Sequence, residues 1–336
     1  MVYNKYIGII GGTGTIGSII VKYLLQLQTH FHVLIGGRRS IKEISMSTFY
    51  NSERLKYNQM NYNNDVELDN FCSQCLLVIN AVGPSFKIND KIALHALRNN
   101  CHYIDIGGYG ILRDLLKPYE KSIEAQKLCF IIGVGWMPGI SGVFSKTIIE
   151  THLNSPENTN FNIYYGAVDN WSYSSTYDLA ASSMGKTRSY VYSHGKEIQV
   201  SPFRYTHHKF FPFIGHKKIC MPSFDEQLTQ LATSLKQIRK ISTFIMLNDY
   251  ISMGKFMFIK IFYKHNLNKA TLMLQDDYQR LVKKENKWGS VICQVSKIEP
   301  ERKIDTFYYL YTKNNLLYTA LPAVITTQYI LEGKTK

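Results

Sequence analysis

Near its start the chain reads Ile7-Gly8-Ile9-Ile10-Gly11-Gly12-Thr13-Gly14-Thr15-Ile16-Gly17. The apolar residues before the glycines predict a buried strand, and the run from Ser18 to Leu25 has the apolar spacing of a helix. The spacing Gly12-x-Gly14-x-x-Gly17 meets three separate needs. One glycine permits a tight turn, one lets backbone N–H groups approach a pyrophosphate, and one lets helix and strand pack closely. The helix that follows points unpaired N–H groups and the positive end of its dipole at the same place. A chain that begins this way is committed to a strand–turn–helix unit of an open α/β sheet. Residues Gly11, Gly12, Thr13, Gly14, Thr15, Ile16 and Gly17 are accordingly expected to bind a dinucleotide.

The next apolar run, 31–37, predicts a second strand and ends in Arg38-Arg39. A unit specific for NAD carries an Asp or Glu about 20 residues past the glycines, where it holds the ribose 2′-hydroxyl. The first acidic residue of this chain is Glu43. A guanidinium fork matches a 2′-phosphate in shape and charge, which a carboxylate repels. Arg38 and Arg39 therefore point to NADP(H) rather than NAD(H), the alternative being two solvated surface arginines.

Alternation of strand and helix continues as a parallel sheet requires. Strands are predicted at 56–60, 76–82, 103–106 and 130–134. Helices are predicted at 66–73, 89–98 and 111–126, the last interrupted at Pro118, with another from residue 140. Beyond residue 151 the texture changes. A strand is expected at 161–167, a helix at 177–184, a hairpin over 189–200 and a helix over 226–246. Two further strands are expected at 290–297 and 306–311, and a closing apolar helix at 316–330. The expected architecture is a doubly wound parallel sheet of Rossmann type with an inserted α+β sheet domain and a C-terminal helix returning to the first domain. In residue terms, 1–150 with 315–336 forms the nucleotide-binding domain, and 151–314 a substrate-binding and dimerisation domain.

Five segments together resemble the saccharopine dehydrogenase-like NADP-binding oxidoreductases: the glycine turn, Gly36-Gly37-Arg38-Arg39, Asn80-Ala81-Val82-Gly83-Pro84 with its preceding strand, Tyr103-Ile104-Asp105-Ile106-Gly107-Gly108, and Val134-Gly135-Trp136-Met137-Pro138-Gly139. The Asn-Ala-x-Gly-Pro and Tyr-x-Asp elements discriminate best. The resemblance implies hydride transfer between NADP(H) and a carbon–nitrogen bond, usually an imine. The second domain matches the family only in layout, so no substrate residue is carried over.

In an open α/β sheet the ligand sits outside the carboxyl ends of the strands. This adds Asn80, Ala81, Val82, Gly83 and Pro84 to the expected cofactor site. Asp105 stands alone as a carboxylate in an apolar strand, where burial would raise its pKa. It is a candidate proton donor or partner for a substrate ammonium, with a cap or loop brace as the alternative. Tyr109 and His102 are weaker catalytic candidates. Trp136 is read as core in preference to a wall over the reacting ring.

The net charge of +14 would suit an anionic ligand or an acidic carrier protein. Its lysines are dispersed, however, and no nucleic-acid motif stands out. No uninterrupted apolar run reaches the about 18 residues of a membrane span. The nearest, 241–263, carries Asp249, Lys255 and Lys260. No membrane partner is expected, and the direct entry into a strand suggests a cytosolic protein, read as a homodimer acting on a small molecule that is free or carrier-bound. Cys72-x-x-Cys75 lacks a second pair for a zinc site. Tyr192-x-x-x-Lys196 and Tyr309-x-x-x-Lys313 fall in expected strands rather than on a helix face, and Gly185-Lys186-Thr187 lacks the earlier glycine of a phosphate loop. Besides imine reduction, the sequence leaves open reduction of an activated C=C bond and a non-catalytic NADP(H) sensor.

Overall fold

The computed structural model describes residues 5–27, 31–40, 52–108, 110–152, 156–184, 189–263 and 265–334. Two compact units are present: the chain up to Gly139 together with Leu316 onward, and Ile140–Asn315. The first unit runs β1 (Tyr6–Ile10), α1 (Thr15–Gln26), β2 (Val33–Gly37), β3 (Leu55–Gln59), α2 (Asp65–Cys72), β4 (Cys75–Asn80), α3 (Ser85–Ile88), α4 (Lys91–Arg98), β5 (His102–Asp105), α5 (Gly110–Leu116), α6 (Glu120–Ala125) and β6 (Phe130–Ile132).

Its six strands lie in the order β3-β2-β1-β4-β5-β6, all parallel. The order reverses between β1 and β4, which makes the crevice outside their carboxyl ends the ligand position of such a sheet. Both faces are covered, so β1 and β4 read as continuous apolar runs. Ile7, Ile9 and Ile79 pack with Ile20, Val21 and Leu24 of α1. Ile10 and Val78 meet Leu68, Phe71, Ile92 and Ala96 from α2 and α4 on the other face. Each fully buried isoleucine here is worth about 1.5–3 kcal/mol. A 3₁₀ turn at Lys117–Tyr119 separates α5 from α6, because Pro118 has no N–H to continue a helix.

The second unit contains α7 (Ile140–His152), β7 (Thr159–Val168), α8 (Tyr173–Met184), β8 (Ser189–Ser193), β9 (Lys196–Val200), α9 (Pro202–Tyr205), β10 (His207–Phe211), β11 (His216–Pro222), α10 (Glu226–Ser234), β12 (Lys240–Leu247), α11 (Tyr250–Phe262), α12 (Leu267–Lys284), β13 (Trp288–Ile298) and β14 (Lys303–Thr312). Its mixed sheet is ordered β10-β11-β12-β7-β13-β14, with the β8–β9 hairpin attached at β12. α13 (Asn315–Leu331) then brings the chain back to the first unit. There Ala320, Ala323, Val324 and Ile330 complete the core beside Ile7 and Ile9.

One expected helix, 226–246, is corrected. α10 ends at Ser234, and Lys240–Leu247 is a strand between β11 and β7. Ile241 to Leu247 is buried throughout, and apolar periodicity alone does not separate a doubly covered strand from a buried helix. The Tyr192–Lys196 and Tyr309 positions fall on β8–β9 and β14. Gly185-Lys186-Thr187 lies outside the described residues. Among the described residues, no helix is long and apolar enough to cross a membrane.

Candidate functional site

The glycine turn connects the buried end of β1 to α1. Gly11 has φ +85°, in the left-handed region, and a Cβ there would come within 2.9 Å of the Ala81 carbonyl oxygen. A Cβ on Gly17 would lie 2.2 Å from the carbonyl oxygen of Gly11. The turn is held by Gly11 N–H donating to Gly36 O and Gly14 N–H donating to Gly11 O, both at 2.9 Å. Gly14 is the N-cap of α1, so no side chain caps the helix, and its first turn holds no acid. The leading N–H groups thus stay available to an anion, with the dipole favouring negative charge.

Arg38 and Arg39 follow β2 and are exposed. Arg39 reaches back to the turn, its Nη2 donating to Thr13 O at 3.2 Å and to Thr13 Oγ1 at 3.4 Å. Two side chains of β3 fix the arginine backbone: Tyr57 OH donates to Arg39 O, and Gln59 Nε2 donates to Arg38 O at 3.4 Å. Gln59 and Tyr57 were not expected in the site. Their one sequence signal is period-2 alternation at the end of a weakly apolar strand. Residues 38–40 read Arg-Arg-Ser, with no carboxylate to oppose a 2′-phosphate; Glu43 lies outside the described residues. Uncapped helix, glycine-rich turn and guanidinium beside it form a set that fits NADP(H).

Asn80 ends β4 and is 2 % exposed. Its Nδ2 donates to Asp105 Oδ2 at 2.7 Å, and its Oδ1 accepts from Val82 N at 3.0 Å. Ala81 N–H donates to Ile10 O at 2.9 Å. Asn80, Ala81 and Val82 are thereby tied to the ends of β1 and β5, and Gly83-Pro84 leads into α3. Beside them a small hollow is lined by Asn80, Ser85, Phe86, Asp105, Gly108 and Leu112.

The catalytic candidates fare differently. Asp105 is 2 % exposed. Its Oδ2 also accepts from Tyr103 OH at 2.7 Å, and its Oδ1 accepts from Gly108 N. Burial pushes its pKa up, against the pull of hydrogen bonds from Tyr103, Asn80, Gly108 and Gly107. Both oxygens are therefore committed to the protein, and the geometry is that of a brace joining two strand ends and a loop. His102 begins β5, roughly 10 Å from its carboxyl end at 3.3 Å per residue. It accepts through Nδ1 from Cys129 N at 2.9 Å, and burial lowers its pKa. The parallel strand direction keeps it away from the glycine turn. Tyr109 lies outside the described residues. Trp136 is 9 % exposed and meets Tyr318 of α13 edge to face at 5.9 Å.

The family model of the saccharopine dehydrogenase NADP binding domain matches residues 7–129. That segment contains the glycine turn, both arginines, Asn80 to Pro84 and Asp105. Among solved structures, the apo saccharopine dehydrogenase (L-Glu forming) of Saccharomyces cerevisiae is similar with a TM-score of 0.65 and 14% identity, covering 99% of this chain and 92% of that one. The DAP dehydrogenase of C. glutamicum gives a TM-score of 0.47 and 10% identity over 96% of this chain and 86% of that one. A search among curated proteins gives no significant match.

Proposed function

Residues 7–129 are a saccharopine dehydrogenase-like NADP-binding domain, with NADP(H) as its cofactor, and from this premise we propose that the protein is a reductase of carbon–nitrogen double bonds. It belongs among NADP-dependent oxidoreductases. The bond that it reduces is our reading, and one observation supports it: the carboxyl that ends β5 is already saturated by Tyr103, Asn80 and Gly108.

Reduction of a C=C bond needs an acid that delivers a proton to carbon. A protonated imine brings its proton with it and is already electrophilic. A site that positions its reactants and offers no free acid from Asp105 suits the imine better. Bound NADPH supplies the hydride. The chain's own part is to hold the phosphates on the Gly11–Gly17 turn, to take the 2′-phosphate with Arg38 and Arg39, and to fix the loops at Asn80–Pro84 and 106–108. The second unit, 151–314 by sequence, serves in this reading as the substrate-binding and dimerisation domain of a cytosolic homodimer. The substrate is a small imine, free or held on a carrier protein.

Purified protein incubated with NADPH and, in separate reactions, keto acid plus amine mixtures, cyclic imines and enoyl thioesters tests this. Oxidation of NADPH with formation of a C–N single bond in the first two sets is expected. Turnover of enoyl thioesters alone would move the assignment to C=C reduction. NADPH binding without turnover in any set would move it to a sensor.

A further inference from the structure

β10 and β14 stand at opposite ends of the strand order in the second unit's sheet, yet their side chains meet. Past β10 the hairpin turn brings Phe213 onto Tyr309, stacked at 4.2 Å, and edge to face with Tyr311 at 5.9 Å. The sheet is therefore curled, as strand twist favours, and one of its faces becomes an interior. Tyr164, Phe211, Phe244 and Ile292 fill part of that interior as apolar core. Farther along β13 the same face turns polar, because Gln294 and Ser296 follow Ile292 at the two-residue period of a strand.

Lys209 of β10 sits at this boundary. Its Nζ donates to Gln294 Oε1 at 2.5 Å and to Tyr164 Oη at 3.4 Å. It also lies 4.9 Å from the centre of the Tyr164 ring and 4.8 Å from that of Phe307. Among the described residues it has no ion-pair partner. Asp305, whose charge reaches it, is bridged to Lys303 at 3.2 Å and accepts from Ser296 and Gln294. His207, on the same face of β10, turns its ring edge to Tyr164 and has Nδ1 2.9 Å from Tyr205 O.

An exposed lysine is a poor nucleophile near neutral pH because it is protonated. Lys209 is half-buried, and what touches its nitrogen is a neutral amide oxygen, a phenol and two ring faces. Burial pushes its pKa down; Asp305 and Cys220 act against that fall, and Lys303 adds to it. Desolvation beside neutral groups is what turns a lysine amine into a nucleophile toward carbonyl carbon.

We propose that Lys209 condenses with small aldehydes or ketones of apolar body, forming a lysyl imine inside the curled sheet. The ammonium first gives a proton to solvent. Nζ then attacks the carbonyl carbon, the C=O electron pair moves to oxygen, and a proton passes from nitrogen to that oxygen. One further proton lets the hydroxyl leave as water and the C=N bond form. In sum, an ammonium and a carbonyl become a protonated imine and water, with nothing oxidised or reduced. Tyr164, which donates to Gln294 Oε1 at 3.1 Å, is within reach as the proton donor; burial pushes its pKa up, so the phenol keeps its proton. The Tyr164 and Phe307 rings give the apolar body a surface. Neither the nucleotide nor the reduction proposed above takes part.

The test is incubation of the full chain, without nucleotide and at neutral pH, with benzaldehyde and sodium cyanoborohydride. The borohydride fixes the imine as a stable benzyl amine, and peptide mass mapping locates it. Lys209 is expected to be modified at least about threefold faster than the exposed Lys146 and Lys196. Lys209→Arg should remove this adduct and leave the others. Gln294→Glu sets a carboxylate against Nζ, which holds the proton on the amine. It should slow Lys209 roughly tenfold while Lys146 and Lys196 keep their rates. An unfolding midpoint on the same preparation checks that this variant folds, and the wild-type ratio decides the matter if it does not. Modification of Lys209 no faster than that of Lys146 and Lys196 overturns the proposal. So does an unaltered rate at Lys209 in folded Gln294→Glu.

Discussion

Asn80 and Asp105 face each other on neighbouring parallel strands, and the hydrogen bond from Asn80 Nδ2 to Asp105 Oδ2, at 2.7 Å, joins the ends of β4 and β5. From this pair, contacts spread to Val82 N, Tyr103 OH and Gly108 N. The loops outside the sheet therefore depend on one buried carboxylate and one buried amide.

Asp105→Asn keeps the shape but replaces an acceptor oxygen with an amide NH₂ that meets donors. Leaving such groups unsatisfied costs about 1–3 kcal/mol. A brace predicts that the unfolding midpoint and NADPH affinity fall together with turnover. A variant with wild-type stability and wild-type NADPH binding but collapsed turnover would instead return Asp105 to the role of proton donor. Calorimetry and a cofactor titration on one preparation decide between the two.

Gly17→Ala places a methyl 2.2 Å from the Gly11 carbonyl oxygen if nothing moves. The turn and α1 must shift apart, and overpacking of this kind costs about 1–3 kcal/mol. Lower stability and weaker NADPH binding are both expected, measured by denaturant unfolding and fluorescence titration. Unchanged cofactor affinity would mean that the turn is not the phosphate cradle.

Acid should destabilise the second unit through Asp249. Burial works to raise its pKa, but hydrogen bonds from Arg280 and Ser252 outweigh it and hold the carboxyl at about 2, below its ordinary value of 3.8. Because the folded pKa is the lower one, the contribution is complete above the unfolded value and is lost as pH falls through 3.8 toward 2. Unfolding midpoints measured across that interval should drop less steeply in Asp249→Asn than in the wild type. Parallel curves would count against the pair.

Five of the six cysteines are buried. Burial pushes the Cys101 thiol up to about 11, and Cys220 and Cys293 up to about 12. Cys129 is only half-buried, so native protein should react with a thiol-titrating reagent at this one site first. Full reaction of six thiols should require denaturant. Rapid modification of Cys72 or Cys75 in the folded protein, read by peptide mapping, would contradict this packing.

The first unit was legible because its signals are local. Ile7 to Gly17 announces strand, turn and helix within a few residues, and Pro118 marks its own break. Asn80 and Asp105 were visible as a polar residue and an acid ending apolar strands, although their mutual bond was not, since register between β4 and β5 is a tertiary fact. Gln59 and Tyr57 stayed hidden because their role depends on β3 lying beside β2. In the second unit, 240–247 passed for helix since a strand covered on both faces has no period of its own. β10, β11 and α12 were not foreseen: half-exposed segments such as His207–Phe211 mix lysine, histidine and phenylalanine without a dominant period. The meeting of Lys209 with Tyr164 and Gln294 is likewise invisible in sequence, because it joins three strands of one sheet.

The claim on which the account depends is that Arg38 and Arg39, fixed beside Thr13 by Tyr57 and Gln59, hold a 2′-phosphate. Its most direct test is the ratio of NADH to NADPH dissociation constants in the wild type and in Arg38→Ala/Arg39→Ala, by fluorescence titration at one salt concentration. A charge-assisted hydrogen bond of about 1.5–3 kcal/mol predicts that the double variant loses roughly tenfold to a hundredfold in NADPH affinity while NADH affinity stays within about twofold. Equal losses for the two cofactors, or a wild type that prefers NADH, would contradict it.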